Sequence, residues 1–255
     1  MFGIYFSGTG NSKYCVETFL RQCGSDIPPV SIEQPDAIQQ LQVHQDLVIG
    51  FPVQYSDLPK ILRDFVVANG ELWHGKHIFV IATMGLFSGD GAGTLARLLR
   101  SYGAVITGGL HLKMPDSICD EPMLKRPLSK NQQLIKQAEQ KIGQAASAFA
   151  RGTPPQEGLG TLSHLLGLFG QRLYFGRMTQ SYSDKLKIGA GKCIGCGNCV
   201  QLCPMKNLSF DGGCVTPAGR CTMCYRCISK CPTQAITLLG KKVIEQCYVE
   251  KYLTP

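Results

Sequence analysis

The sequence predicts an α/β protein with a doubly wound parallel sheet, followed by a small, cysteine-rich α+β domain. Two observations carry this prediction. Short β-branched and aromatic runs alternate with amphipathic segments of helix length through the first half of the 255 residues, a pattern typical of a parallel sheet covered on both faces. Nine of the thirteen cysteines then fall between Cys193 and Cys231, eight of them in two evenly spaced runs, and such a density indicates metal ligands or disulfides.

The strands are expected at short apolar runs bounded by glycine, proline or polar residues. The four stronger candidates are residues 2–6, 46–51, 78–83 and 105–112, and residues 29–32 form a weaker one with the prolines of an edge strand. Ligands of such a sheet bind at the carboxyl ends of the strands, where the strand order reverses. The loops after Phe6, Gly50 and Thr83 are therefore the candidate binding loops.

Apolar positions three and four residues apart predict the helices. They are residues 12–23, 58–69, 91–102 and, with a more polar surface, 129–151. A Gly-Thr-Pro-Pro sequence at 152–155 then predicts a linker. Residues 162–178 are predicted as an apolar helix packed between domains, and contact with a lipid surface is the alternative. We expect three regions, namely 1–150, a linker and interdomain helix at 151–183, and 184–255.

The clustered cysteines repeat one spacing, C-x2-C-x2-C-x3-C-P. The first run is Cys193, Cys196, Cys199 and Cys203, and the second is Cys221, Cys224, Cys227 and Cys231. This spacing resembles that of bacterial two-cluster ferredoxins, in which the fourth cysteine of a run binds the other cluster. The resemblance implies two [4Fe-4S] clusters, with Cys231 completing the first ligand set and Cys203 the second. Structural zinc is the alternative, but it needs only four ligands per site and leaves the third cysteine of each run unexplained.

The remaining cysteines are expected to be free thiols in a reducing compartment. They are Cys15, Cys23, Cys119, Cys214 and Cys247, of which Cys214 lies between the runs and is a reserve ligand. The first residues form a strand-like run without the basic start of an export signal. No apolar run reaches the roughly 18 to 20 residues that span a bilayer. We therefore expect a cytoplasmic location and no membrane span.

The loop after the first strand has the composition of a phosphate-binding site. It reads Ser-Gly-Thr-Gly-Asn-Ser and opens a helix. Two glycines permit a tight turn with inward N–H groups, and the helix N-terminus adds partial positive charge. The loop is not the dinucleotide-binding fingerprint G-x-G-x-x-G, because Lys13 stands at the position of its third glycine. The candidate phosphate contacts are Ser7, Gly8, Thr9, Gly10, Asn11 and Ser12.

This loop resembles the FMN-phosphate loop of flavodoxins, whose sheet is doubly wound. The whole chain resembles single-chain fusions of a flavodoxin-like domain with a bacterial two-cluster ferredoxin domain, which are found chiefly in anaerobes. The resemblance covers about residues 1–120 and 185–240. It implies FMN as a cofactor and places the next two strand-end loops beside the flavin ring. The residues implied there are Pro52, Val53, Gln54, Tyr55, Thr83, Met84 and Gly85.

The charge is unevenly distributed along the chain. Residues 1–128 carry ten Lys/Arg and twelve Asp/Glu, whereas residues 129–255 carry sixteen and six. Such asymmetry can indicate a nucleic-acid partner. Two four-iron clusters with their thiolates would offset part of the basic charge, at about −2 each. Because the basic residues are scattered and form no recognition motif, we expect no nucleic-acid partner.

The expected function is the passage of low-potential electrons between two [4Fe-4S] clusters and FMN, and on to redox partner proteins. No acid–base pair or nucleophile stands out, so no catalytic residue is assigned. The alternative is an oxidoreductase whose flavin reduces a small organic molecule with electrons from its own clusters. Residues 113–128 would then enclose a pocket over the ring.

Overall fold

The computed structural model describes residues 1–87, 89–160, 185–211 and 213–253. Strands and helices alternate through the first half, as predicted. The strands are β1 (Phe2–Tyr5), β2 (Val30–Ser31), β3 (Asp46–Pro52), β4 (His77–Met84) and β5 (Val105–Lys113). The helices are α1 (Asn11–Gln22), α2 (Ala37–Val43), α3 (Lys60–Ala68), α4 (Gly91–Ser101) and α5 (Leu128–Ala150).

The five strands form one parallel sheet in the order β2-β1-β3-β4-β5. This is the strand order of the flavodoxin-like doubly wound fold, so the predicted fold class is confirmed. The order reverses between β1 and β3, which pair with Ile4 opposite Ile49. The edge strand predicted at 29–32 is reduced to the two residues of β2. Pro29 has no N–H to donate to the ladder, whereas the amide of Ile32 still donates to the carbonyl of Tyr5 at 2.9 Å.

Alternate side chains of the central strands fill two apolar layers. In β3 and β4, Ile49 and Val80 face the layer beneath α3 and α4, and Val48 and Phe79 face the layer beneath α1 and α5. This period of two comes from the pleat of the strands. Because both faces of the sheet are covered, its ligands are confined to the strand ends.

Helix α2 is a difference from the sequence prediction, which has no helix there. Its seven residues bury only Ala37 and Leu41, and Val43 at its end is two-thirds exposed. Such a short segment carries little periodicity, so its helix is decided by packing of Leu41 against the sheet. Helix α5 lies within one residue of its prediction and packs beside α1.

The cysteine-rich half is built from short elements. They are β6 (Lys187–Ile188), α6 (Asn198–Leu202), β7 (Leu208–Asp211), β8 (Cys214–Pro217), α7 (Arg226–Ser229) and β9 (Ile236–Thr237). Strands β6 and β9 pair antiparallel, as do β7 and β8. Their apolar residues form a separate core with most of the clustered cysteines. This small α+β unit agrees with the predicted ferredoxin-like domain.

Two of the contacts that cross the predicted domain boundaries involve the outer strand and the helices of the sheet. Gly109 of β5 pairs with the segment after α5, donating to the carbonyl of Pro155 and accepting from the amide of Glu157. Val249 and Tyr252 pack against α1 and α5. The boundaries at 150 and 183 remain a prediction, and the helix predicted at 162–178 lies outside the described residues. Across the described ranges, the helices fall short of the length and apolarity that a membrane span needs.

Candidate functional site

The predicted phosphate loop is a tight turn between β1 and α1. Gly10 has a left-handed backbone (φ 92°) and precedes the first residue of α1. The first N–H groups of α1 have no partner within the helix and are free to bind an anion. Ser12 is fully buried, and its Oγ lies 2.7 Å from Oγ1 of Thr83 at the end of β4. The loop is therefore fixed to the carboxyl end of β4.

A cavity of about 430 Å³ opens over this loop at the carboxyl ends of β1, β3 and β4. Its size falls within the range of small-molecule and cofactor sites. Twelve of the thirteen predicted flavin contacts line it: Ser7, Gly8, Thr9, Asn11, Ser12, Pro52, Val53, Gln54, Tyr55, Thr83, Met84 and Gly85. Gly10 lies outside the lining because the space at its Cα is filled by Val249.

The far wall of the cavity comes from the segment after β5. Pro115, Asp116, Ser117, Ile118, Glu121, Met123 and Leu124 line it. Thr9 Oγ1 lies 2.7 Å from Ser117 Oγ, and Asn11 Nδ2 donates to the carbonyl of Pro115 at 2.7 Å. These bonds hold the wall against the phosphate loop. The wall lies within residues 113–128, the segment that would enclose a pocket under the alternative reductase hypothesis.

Among the residues that the structure describes, one buried side-chain atom of the cavity is left for a ligand. Asn11 Oδ1 is buried and has no hydrogen-bond partner, and such an acceptor is costly unless a ligand donor reaches it. Burial raises the pKa of Asp116, and the N–H of Ile118 and the charges of Lys125 and Arg126 oppose that shift. A ligand with hydroxyl groups and a phosphate fits this donor and acceptor set, as FMN requires.

The cysteines line two small cavities in two sets of four. One cavity is lined by Cys193, Cys196, Cys199 and Cys231, and the other by Cys203, Cys221, Cys224 and Cys227. The sets coincide with the two ligand sets that the ferredoxin resemblance implies. Within the described ranges, no three His, Cys, Asp or Glu side chains converge as the ligands of a single metal ion do. All thirteen cysteines are free thiols.

Backbone N–H groups point at the cysteine sulfurs, which favours bound thiolates. The amides of Asn207, Met223 and Ala235 each donate to a cysteine Sγ at 3.3 Å. Burial raises the pKa of the Cys224 thiol to about 12. Cluster binding at Cys224 therefore has to displace a proton. With four soft ligands per cavity and these N–H donors, the residues present fit [4Fe-4S] clusters.

Cys224 and Tyr225 line both the large cavity and the cavity of the Cys203 set. A Cβ atom on Gly8 would overlap the carbonyl oxygen of Cys224, so the phosphate loop and the second cysteine run are in direct backbone contact. Gln54 Nε2 donates to the carbonyl of Thr222 at 2.9 Å. The two candidate cofactor sites are therefore neighbours with a shared wall.

An ion pair reinforces this junction. Both Nη atoms of Arg226 lie 2.6 Å from carboxylate oxygens of Glu33, and Nη2 also donates to the carbonyl of Ser7 at 2.8 Å. Both side chains are about one-fifth exposed. Hydrogen bonding to Glu33 raises the pKa of Arg226 against the opposing effect of burial. The bidentate geometry fixes α7 against the phosphate loop.

Comparison with known families agrees with the architecture of the cysteine-rich half. Residues 192–235 match the family model of the 4Fe-4S dicluster domain. The predicted joining of a flavodoxin-like fold to a 4Fe-4S ferredoxin-type domain in one chain is confirmed. Comparison with curated proteins gives no match.

Among solved structures, similarity is found to flavodoxins at low identity. Two-electron reduced Megasphaera elsdenii flavodoxin is 20% identical, with 57% of this chain and 100% of that chain covered and a TM-score of 0.41. Oxidised Flavodoxin 2 from Bacillus cereus is 19% identical, with 59% and 97% covered and a TM-score of 0.43.

Several site residues were missed by sequence reasoning. They are Glu33 and Arg226 at the junction, Asp120 behind it, and Met223 and Tyr225 in the cavity wall. Two of them sit inside the second cysteine run, where the first run has glycines. This difference between the two runs is visible in the sequence and could have indicated a role for these two side chains. Glu33 and Asp120 carried no local signal, because their partners are distant along the chain.

Proposed function

We propose that the protein is an electron carrier that uses one FMN and two [4Fe-4S] clusters within a single chain. The observation that carries the proposal is the shared wall, since Cys224 and Tyr225 line the candidate flavin cavity and one cysteine cavity together. Placing both sites in one chain makes exchange between them intramolecular. When bound, FMN supplies one- or two-electron chemistry and each cluster supplies single electrons.

The phosphate loop would hold the FMN phosphate. Ser7, Thr9 and Ser12 offer hydroxyl donors beside the N-terminus of α1, and Gly8 lets the backbone approach closely. Tyr55 and Met84 line the part of the cavity in which the resemblance to flavodoxins places the ring. The side-chain amide oxygen of Asn11, Oδ1, is free to accept a hydrogen bond from a ligand hydroxyl.

The two cysteine sets differ in their access to solvent. Cys196 of the first set is exposed, and its neighbour Ile194 is 67% exposed. Each set also has buried members, but no cysteine of the second set is exposed, and its Cys224 lines the candidate flavin cavity. The difference supports an order in which redox partner proteins meet the Cys193 set and the Cys203 set serves the flavin. Thirteen free cysteines support a reducing, cytoplasmic location.

The test begins with the full chain purified without oxygen. We expect about eight irons, eight sulfides and one FMN per chain. A one-electron donor should bleach the visible absorption of the clusters and then of the flavin in the same sample. Zinc in place of iron would contradict the cluster assignment. Eight irons in a chain that neither contains nor takes up FMN would contradict the flavin assignment.

The alternative is a flavin-dependent reductase of a small organic molecule. A second cavity of about 380 Å³ adjoins the first and shares Met84, Leu86 and Phe87 with it. Its other lining residues include His111, Lys113 and Lys141. Burial lowers the pKa of His111, so its ring is neutral at neutral pH. This space could hold a substrate next to the flavin site.

Steady-state kinetics separate the two functions. The reduced holoprotein is mixed with a panel of small electron acceptors, such as quinones, nitro compounds and enones, and with low-potential carrier proteins. Rapid oxidation by a carrier protein and slow oxidation by every small molecule supports the electron carrier. Saturable oxidation by one small molecule supports the reductase. Lys113→Gln, which changes the second cavity, should then raise the KM for that molecule.

A further inference from the structure

Two cysteines outside the metal-binding runs meet behind the wall of the flavin cavity. Cys119 follows Ile118, which lines that cavity, and Cys247 lies in the segment that ends the described chain. The carbonyl of Cys119 accepts hydrogen bonds from the amides of Ile244, at 2.9 Å, and Glu245, at 3.2 Å. Both cysteines are free and almost fully buried, at 0% and 2% exposure.

The two cysteine side chains are neighbours. A hydrogen bond between them raises the pKa of Cys119 and lowers the pKa of Cys247. The thiol of Cys119 also donates to the carbonyl of Ser117 at 3.4 Å. Ser229 Oγ lies 3.0 Å from Cys119 Sγ. Such contacts on both sulfurs fix the pair in a defined arrangement, unlike an isolated buried thiol.

A lysine and a tyrosine complete the cluster around Cys247. Lys125 Nζ donates to Cys247 Sγ at 2.9 Å and is held in place by the carbonyl of Ile118. The hydroxyl of Tyr252 also bonds to Cys247. Donation from Cys119, Lys125 and Tyr252 lowers the pKa of Cys247. Cys247 therefore has the surroundings of a reactive thiolate, with a second thiol beside it.

We propose that Cys119 and Cys247 are a redox-active dithiol that closes to an intramolecular disulfide when the protein meets a small peroxide. Redox-sensing cysteines combine a stabilised thiolate with a neighbouring resolving thiol, and this pair has both. Burial excludes bulky disulfides such as oxidised glutathione, so the oxidant has to be of the size of hydrogen peroxide. The inference does not depend on which redox function the cofactors serve.

The chemistry balances with one peroxide per pair. The Cys247 thiolate attacks one peroxide oxygen, the O–O bond breaks, and the departing hydroxide takes up a proton to become water. Cys247 is now a sulfenic acid. The sulfur of Cys119 attacks the Cys247 sulfur, the S–O bond breaks, and the hydroxyl leaves as water with the thiol proton of Cys119. Two thiols lose two electrons in total, and hydrogen peroxide is reduced to two waters.

A disulfide at this point would tie two segments together. Residues 115–124 form the far wall of the flavin cavity, and residues 244–253 pack on Thr9 and α1. In the protein with free thiols, only hydrogen bonds join Cys119 to Ile244 and Glu245. Oxidation would convert this contact into a covalent link, so the wall of the cavity would become stiffer in the oxidised protein.

The test uses the full-chain holoprotein prepared without oxygen. Hydrogen peroxide is added in steps up to one equivalent, each sample is quenched in acid, and free thiols are alkylated under denaturing conditions before digestion. We expect a linked peptide pair containing Cys119 and Cys247, two mass units lighter than the two peptides together. Iron content and visible cluster absorption should be unchanged at that point. Cys15, buried, and Cys23, exposed, are internal controls and should stay alkylated.

Two outcomes would overturn the proposal. One is the recovery of Cys119 and Cys247 as alkylated, and hence unoxidised, thiols at peroxide doses that oxidise Cys23. The other is a linked pair that appears only in step with iron loss, because it would then report unfolding. Cys119→Ser gives a second readout, since Cys247 should stop at a sulfenic acid that dimedone traps. Absence of the dimedone adduct in a variant that retains its iron would count against the mechanism.

Lys125 tests the role of the thiolate separately from the presence of the thiols. Lys125→Gln should slow disulfide formation at pH 7 by about tenfold and move its pH dependence to higher pH, because less thiolate is present. Lys125→Arg should restore part of the rate, and Lys136→Gln, on the exposed surface, should change nothing. An unchanged rate in Lys125→Gln would contradict the proposal. The other titratable groups facing the pair are Tyr252, Tyr225, Asp120 and Glu245.

Discussion

The two cysteine runs share a backbone but use different residues to build it. The second and fourth residues after the first cysteine are left-handed in both runs. In the first run they are Gly195 (φ 66°) and Gly197 (φ 72°). In the second they are Met223 (φ 53°) and Tyr225 (φ 60°). Glycine adopts this conformation without strain, whereas other residues incur of order 1–3 kcal/mol each.

The difference shows what the second run contributes beyond metal ligation. Met223 and Tyr225 line the candidate flavin cavity, and the Tyr225 hydroxyl donates to Asp120 Oδ1 at 3.1 Å. The other oxygen of Asp120 accepts from the amide of Leu238 at 2.6 Å. Met223 and Tyr225, whose left-handed backbone is strained, are thus also the residues whose side chains join the two halves of the molecule. The first run faces outward and keeps its glycines.

The largest contrast is expected between Cys224→Ala and Cys196→Ala, each the second cysteine of its run. Both variants should lose about four of about eight irons, because each cluster needs all of its ligands. Only Cys224→Ala should also lose FMN, since the phosphate loop rests on this part of the second run. Iron and flavin contents per chain after anaerobic purification measure both effects. Equal flavin contents in the two variants would contradict the shared wall.

Gly8→Ala should disturb the junction by adding a single carbon. The new Cβ would overlap the Cys224 carbonyl, and the overlap should destabilise the protein by about 3 kcal/mol. Gly197→Ala is the control in the first run, where no atom lies within 4 Å and only the left-handed backbone opposes a side chain. It should lower stability by about 1 kcal/mol. Urea unfolding and FMN titration followed by fluorescence compare the two, and an FMN affinity unchanged in Gly8→Ala would speak against the contact.

Arg226 and Asn198 occupy the same position of the two runs, directly before the third cysteine. Arg226→Ala should lower the free energy of unfolding by about 2 kcal/mol, less than the 3–5 kcal/mol of a fully buried pair, because Glu33 would keep some contact with water. Asn198→Ala, on the exposed surface, should change it by less than about 0.5 kcal/mol. Arg226→Lys should recover only part of the loss, because an ammonium group cannot bind both carboxylate oxygens in the same way. Chemical denaturation of the three holoproteins provides the measurement.

The smallest effect is expected where the runs are alike. Lys206 (φ 47°) and Gln234 (φ 52°) each follow their Cys-Pro by two residues, and both are exposed. Replacement of either by glycine should stabilise the protein by about 0.5 kcal/mol, because relief of the left-handed strain outweighs the greater freedom of glycine in the unfolded chain. The two changes in melting temperature should have the same sign and size. Opposite signs would show that the two runs are equivalent only at their cysteines.

Local patterns made much of this molecule predictable. The apolar runs predicted β1, β3, β4 and β5, and the residues of the phosphate loop predicted the position of the cavity. Spacing and resemblance predicted which cysteines share a cavity. Each of these signals lies within a few residues of chain, or in a repeat of a known spacing.

Long-range partners could not be predicted in this way. The wall at Pro115–Ile118, the pair of Arg226 with Glu33, and the meeting of Cys119 with Cys247 all join segments that are far apart in the sequence. A carboxylate or thiol in a loop has no periodicity that reveals its partner. Tertiary packing also decided α2, whose seven residues show little amphipathic pattern.

The path of the chain after α5 has a consequence for association with other molecules. At β5, the amide of Gly109 donates to the carbonyl of Pro155, and its carbonyl accepts from the amide of Glu157. An uncovered outer strand is a template on which a foreign segment can assemble, and it is a common start of aggregation. Here that stretch of the sheet border is capped by the same polypeptide. Loosening residues 155–157 should therefore promote self-association before it affects either cofactor site.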